Sequence, residues 1–140
     1  MGADLNLKEA LGKLALFADF EAADLDDLLA IAEVVEFSEG ERVHTRGENG
    51  TGLYVIVEGE VSVCLEDLEL AILPRGSFFG EISSLLGEPV VTDIMARSPL
   101  LCLLIQPEHI ERLLLEHPRV ALRMLKTEAR RLRDMDEARV

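Results

Sequence analysis

Residues 76–96 read GSFFGEISSLLGEPVVTDIMA, and within them a strand pattern stops at a glycine, a short helix-capable run follows, and a strand pattern resumes. Phe78 and Phe79 lead into Gly80, which opens the run Glu81 to Leu86. Its apolar positions Ile82, Leu85 and Leu86 keep the three-and-four spacing of a helix face. Gly80, Glu81, Ile82 and Ser83 therefore form a helix N-terminus, whose first N–H groups lack intrahelical acceptors and whose dipole is positive. A phosphate-sized anion suits such a place. Glu81 fits it only by accepting a hydrogen bond, as from a sugar hydroxyl. The plainer alternative is that Glu81 complements its own helix dipole and Gly80 is a turn residue.

The chain around this stretch is 140 residues long, the size of one domain with one substantial core. Its net charge of −13 argues against nucleic acid, which needs a surplus of Lys and Arg on the contact surface. The charge is uneven, since seven basic and four acidic residues give 119–140 a charge of +3 and leave −16 on 1–118. An acidic body thus carries a basic tail, which either folds back or solvates as an ordinary helix. Cys64 and Cys102 lie in strand-like runs without metal-ligand spacing and read as reduced thiols, which points to a cytoplasmic protein. The longest apolar run, Leu100 to Ile105, is far short of the ~20 residues of a membrane span, and the N-terminus does not resemble a signal peptide. His44, His109 and His117 make no metal set with the cysteines, and no nucleophile constellation is present, so no enzyme is expected.

Taken in order, Leu7, Leu11 and Leu14 mark a helix between Leu5 and Phe17, and Leu25, Leu28, Leu29 and Ala32 a second. Strand patterns follow at 34–37, 43–46, 53–57, 61–65, 68–73, 92–96 and 100–105, separated by glycine-rich turns at the spacing of an all-β sandwich or barrel. Pro107 suits the first position of a helix through Glu116, and Pro118 starts a last one through about Met135.

A helix pair, about eight strands, a short mid-barrel helix and two closing helices resemble the cyclic-nucleotide-binding domain from about Leu14 to Leu132. The likeness rests on Leu16-Phe17, on Phe37 with Gly40-Glu41, and on Gly47 with the run Leu53 to Gly59. Pro74 to Glu81, Leu85-Leu86, Pro89, Ala96 and Glu116-His117-Pro118 complete it. The resemblance implies a mainly β fold with flanking α: a jelly-roll β-barrel over 34–106, N-terminal helices over 1–33 and C-terminal helices over 107–140, all in one domain. It also implies that residues 79–92 are a phosphate-binding cassette, with Phe79, Gly80, Glu81, Ile82, Ser83, Val90, Val91 and Thr92 as ligand-binding positions. In the family, backbone N–H groups there hold the cyclic phosphate and the Glu accepts from the ribose 2′-hydroxyl.

One departure bears on function. Members that bind cyclic nucleotides usually carry an Arg after the cassette proline, whereas Pro89 is followed here by Val90, Val91, Thr92 and Asp93. Two charge-assisted hydrogen bonds lost from a phosphate amount to about 3–5 kcal/mol, or roughly two to four decades of affinity. Asp93 adds negative charge if it faces the pocket; Arg75 and Arg97 are the nearest substitute cations. Leu125, Leu132 and Met135, with Ala121 and Ala129, have heptad-like spacing, which resembles the helix through which family transcription factors dimerise. No residues remain for those factors' helix-turn-helix domain, so direct DNA binding is not expected, and the short apolar runs leave no membrane partner expected either. Two classes stay open: a non-enzymatic sensor for cyclic AMP, cyclic GMP or another small molecule in the barrel, with nucleotide binding impaired by Val90, and a protein-interaction module that has lost its ligand.

Overall fold

The computed structural model describes the backbone from Gly2 to Arg139 and side chains from Asn6 to Asp136. The outer limits of the expected domain, Met1 and Val140, lie outside the described residues. Helix α1 spans Gly2–Gly12, a 3-10 turn Ala15–Phe17, and α2 Ala22–Ile31. Strands β1 (Ala32–Phe37), β2 (Arg42–His44), β3 (Leu53–Glu58), β4 (Val61–Leu65), β5 (Leu68–Leu73) and β6 (Phe78–Phe79) follow. After α3 (Glu81–Leu86) come β7 (Asp93–Ala96), β8 (Leu100–Ile105), α4 (Pro107–Glu116) and α5 (Pro118–Arg139). The first expected helix stops at Gly12 instead of running to Phe17, because the chain turns there to bury Leu16 and Phe17.

The strands form two antiparallel sheets, β1-β8-β3-β6 and β2-β7-β4-β5. No strand pairing among the described residues closes them, so the architecture is a jelly-roll sandwich and not a hydrogen-bonded barrel. The run Leu53 to Val57 is apolar at every position because β3 is covered on both faces. Leu53, Val55 and Val57 join Leu103 and Ile105 of β8 in a core shared with the helices, while Tyr54 and Ile56 join Cys102 and Leu104 between the sheets. Burial pushes the Cys102 thiol up to about 12, so it stays protonated and inert. Cys64 is half-buried and also free.

Pro107 begins α4, where its missing N–H costs nothing, and Ile110 and Leu113 face the helical core. The start of α5 belongs to that core through Val120 and Met124. Arg123 fixes it further by donating to the Leu16 carbonyl at 3.0 Å and pairing with Asp19. The basic tail thus folds back on the acidic body. Ile110→Ala should cost about 2–5 kcal/mol of stability by urea unfolding, whereas Leu115→Ala, on the exposed side of the same helix, should stay within about 0.5 kcal/mol.

Candidate ligand-binding site

Strand β6 ends at Gly80, whose φ of +85° turns the chain into α3. A Cβ at Gly80 would lie 2.4 Å from the Gly52 carbonyl oxygen, so both conformation and space require glycine. The β2–β3 loop lies equally close to the cassette: a Cβ at Gly50 would sit 2.3 Å from Ser83 Oγ. Two glycines therefore let this loop and the cassette helix touch.

Helix α3 turns the opposite face inward from the one its apolar spacing predicts. Glu81 and Ser83 are buried, while Ile82, Leu85 and Leu86 are exposed, Leu86 at 63 %. Phe78 and Phe79 already fill the two cores at this end, so the inward side of α3 meets polar groups. The Ser83 and Ser84 hydroxyls both donate to the Gly80 carbonyl, at 3.3 and 2.8 Å. Of the expected ligand positions, Phe79, Gly80, Glu81 and Ser83 are thus gathered at one place, and Ile82 points away.

Glu81 is 5 % exposed, and its partner comes from the far end of the chain. Arg131 of α5 sets Nη1 3.4 Å from Glu81 Oε1 and 3.1 Å from Glu128 Oε1. Its Nη2 donates to the Phe78 carbonyl at 2.7 Å and to Ser77 Oγ at 3.0 Å, and the guanidinium lies 4.6 Å from the Phe78 ring centroid. Glu81 Oε2 is buried without a hydrogen-bond partner. Burial first, then Glu128, pushes the Glu81 carboxyl up to about 8. The opposite wall is aromatic: Tyr54 and Phe79 stack at 4.9 Å, His44 meets both rings edge-on, and Thr51 Oγ1 and the Tyr54 hydroxyl share a hydrogen at 2.6 Å. His44 Nε2 is the second buried polar atom without a partner, and burial lowers the pKa of His44.

The remaining expected positions lie downstream. Val90 is buried, donating its N–H to the Glu48 carbonyl and accepting from Gly47 N–H at 2.9 and 2.8 Å. Val91 is exposed and Thr92 half-buried. Asp93 is already engaged, accepting from Arg46 N–H at 2.8 Å and facing Arg42 at 3.5 Å. Arg97 pairs with Glu60 and Glu69 at 2.7 and 3.7 Å, and Arg75 is exposed on the turn before β6. The cation that reaches the cassette is Arg131, 50 residues from Glu81 along the chain. The basic tail on an acidic body was the sequence signal for it, though nothing local singled out this arginine.

A two-sheet jelly roll with a glycine-initiated helix between β6 and β7, a buried carboxylate at that helix and closing α-helices defines a cyclic-nucleotide-binding type of fold. The family model described as "Cyclic nucleotide-binding domain" matches residues 34–117, and the chain belongs to that family. A cGMP-dependent protein kinase of Eimeria tenella is 28% identical over 122 residues, 87% of this chain but only 12% of the kinase. Among solved structures, the catabolite activator protein of Thermus thermophilus superposes with a TM-score of 0.75 at 26% identity, over 88% of this chain and 60% of that one. The regulatory subunit of a cAMP-independent protein kinase A from Trypanosoma brucei gives 0.75 at 22% identity, over 92% and 50%. No helix of the described residues is long and apolar enough to cross a membrane.

His44 makes the site acid-sensitive. Its folded pKa lies below the unfolded value of 6.5, so the unfolded chain binds a proton that the native one resists. That stability is present above pH 6.5 and falls as pH drops below it, by up to about 1.4 kcal/mol per unit. Urea titrations at pH 7.5 and 5.5 should show wild type losing more stability on acidification than His44→Leu.

Proposed function

We propose that this chain is a non-enzymatic regulatory module that takes a hydroxyl-bearing small molecule at the cassette and binds cyclic AMP and cyclic GMP only weakly. The carrying observation is the pairing of Glu81, a buried carboxyl with an oxygen left for a donor, with Val90, which has neither charge nor polar hydrogen for a phosphate. A free acceptor oxygen paired with an apolar Val90 favours the sugar end of a nucleotide over its phosphate end. Function lies in the site grafted on a fold, so the family fold does not by itself imply cyclic AMP binding. Val90→Arg should restore what is missing by placing a guanidinium directly after Pro89. Calorimetric titration should give high-micromolar or weaker binding of both nucleotides to wild type and at least tenfold tighter binding to Val90→Arg. Submicromolar binding by the unmodified chain would overturn this reading.

One observation favours a second partner, another copy of the chain. Leu122, Leu125, Ala129 and Leu132 follow one another at three-and-four spacing on the side of α5 away from Val120 and Met124, and all four are exposed. Met135 continues the exposed apolar surface, and Ala121 turns partly toward the body. Paired face to face, two such helices form a homodimer seam. Light scattering at tens of micromolar should give twice the chain mass for wild type and the single mass for Leu132→Asp; the single mass for both would rule the dimer out.

A further inference from the structure

Around Arg131 the formal charges do not balance, and we infer that a proton balances them: Glu81 and Glu128 share one proton under the guanidinium, and this proton latches the C-terminal half of α5 to the cassette. The geometry supplies one cation for two carboxylates. Both address the same Nη1, at 3.4 and 3.1 Å, because Nη2 is occupied by the Phe78 carbonyl and Ser77 Oγ. With both carboxyls ionised the cluster carries a net negative charge at a residue 5 % exposed, and Glu81 Oε2 is a buried acceptor with nothing to accept. One proton removes the excess charge and gives the pair a donor. The buried Glu81 is the carboxyl on which that proton rests most favourably, since burial disfavours its charged form.

Among the described residues, the other elements do not supply the missing charge. Across Gly80, His44 of β2 is kept neutral by burial. The α3 hydroxyls of Ser83 and Ser84 donate to the Gly80 carbonyl. Helix α4 packs on α3 but brings no charge to bear on Glu81, which feels only Glu128 and Arg131. The raised Glu81 pKa of about 8 has the causes this arrangement requires, burial and then Glu128.

The direction follows by linkage. Once α5 lifts away, a solvated Glu81 returns to its ordinary value of 4.5, whereas the latched Glu81 keeps its proton to about 8. The latch is therefore fully present below the free value and weakens as pH rises, by up to tenfold in the closed-to-open ratio per unit, levelling off above about 8. The inference concerns the protein without added ligand, so it stands or falls separately from nucleotide binding.

Nuclear magnetic resonance of the full chain from pH 5.5 to 9 tests it through the backbone amides of 125–135 and the side-chain carboxyl carbons of glutamate. In wild type the α5 amides should move together with a midpoint above the ordinary glutamate range and below about 8 while the β3 and β8 amides stay put, and the Glu81 carboxyl should titrate with them. Glu81→Gln, which carries the hydrogen permanently, should keep α5 docked at every pH. Glu128→Gln should move the midpoint down by more than one unit, because a lone Glu81 can ionise opposite Arg131. Arg131→Met should show the released α5 signals throughout. A Glu81 carboxyl that titrates in the ordinary range, α5 amides that do not change between pH 6 and 9, or a transition that survives in Glu81→Gln would each overturn the latch.

Discussion

Strands β3 and β8 pair along Leu53 to Glu58 and Leu101 to Ile105, and neither has a wet face. A strand buried on both sides divides the apolar interior in two, so alternate residues of the same run serve different cores. One core reaches the helices and holds Val120 and Met124 of α5; the other lies between the sheets and holds Tyr54, Phe79 and Cys102. Strand β6 extends this sheet at its edge, sending Phe78 into the first core and Phe79 into the second. The cassette therefore starts from a backbone fixed on both faces. Gly80 leaves that edge in the one direction a left-handed residue permits, and the site is where it lands.

The same division explains how α5 comes to the cassette. Burial of Val120 and Met124, with the Arg123 contacts to Leu16 and Asp19, aims the helix along the outside of the first core. Two turns further on, Arg131 meets Phe78 and Glu81. The early part of α5 is thus held by apolar burial and the later part by polar contacts to the cassette. Apolar burial is largely indifferent to pH and salt, whereas the polar end depends on the charge of Glu81, so one helix has a permanent root and a conditional tip.

The repeating pattern of the chain was legible because it is local. Alternation, glycine turns, and prolines at 107 and 118 identify most elements to within a residue or two. The two-residue strand β6 is too short to carry a pattern, and it is recognisable only through its pairing with Tyr54 and Val55. The inward face of α3 does not follow its apolar spacing, for a physical reason. A six-residue helix has barely two turns, and its orientation is set by the Gly80 turn and the Arg131 contact, not by apolar spacing. Glu81, Gly80 and Ser83 could be placed from their neighbours in the sequence. Arg131 could not, because its role depends on a fold-back of 50 residues that charge balance foreshadows only in aggregate.

This placement bears on whether Arg131 can turn to a ligand's phosphate. A guanidinium recognises a phosphate by turning its Nη hydrogens toward the anion in pairs. In this protein Nη1 faces Glu81 and Glu128, and Nη2 faces the Phe78 carbonyl and Ser77. To reach a phosphate, Arg131 would have to give up both edges, leaving the negative charge of the Glu81–Glu128 cluster without a counter-charge. Breaking a buried pair by withdrawing one member costs about 3–5 kcal/mol, comparable with what the phosphate contact would return. Arg131 therefore belongs to Glu81 and not to a ligand's phosphate, and its cationic charge serves to join α5 to the cassette.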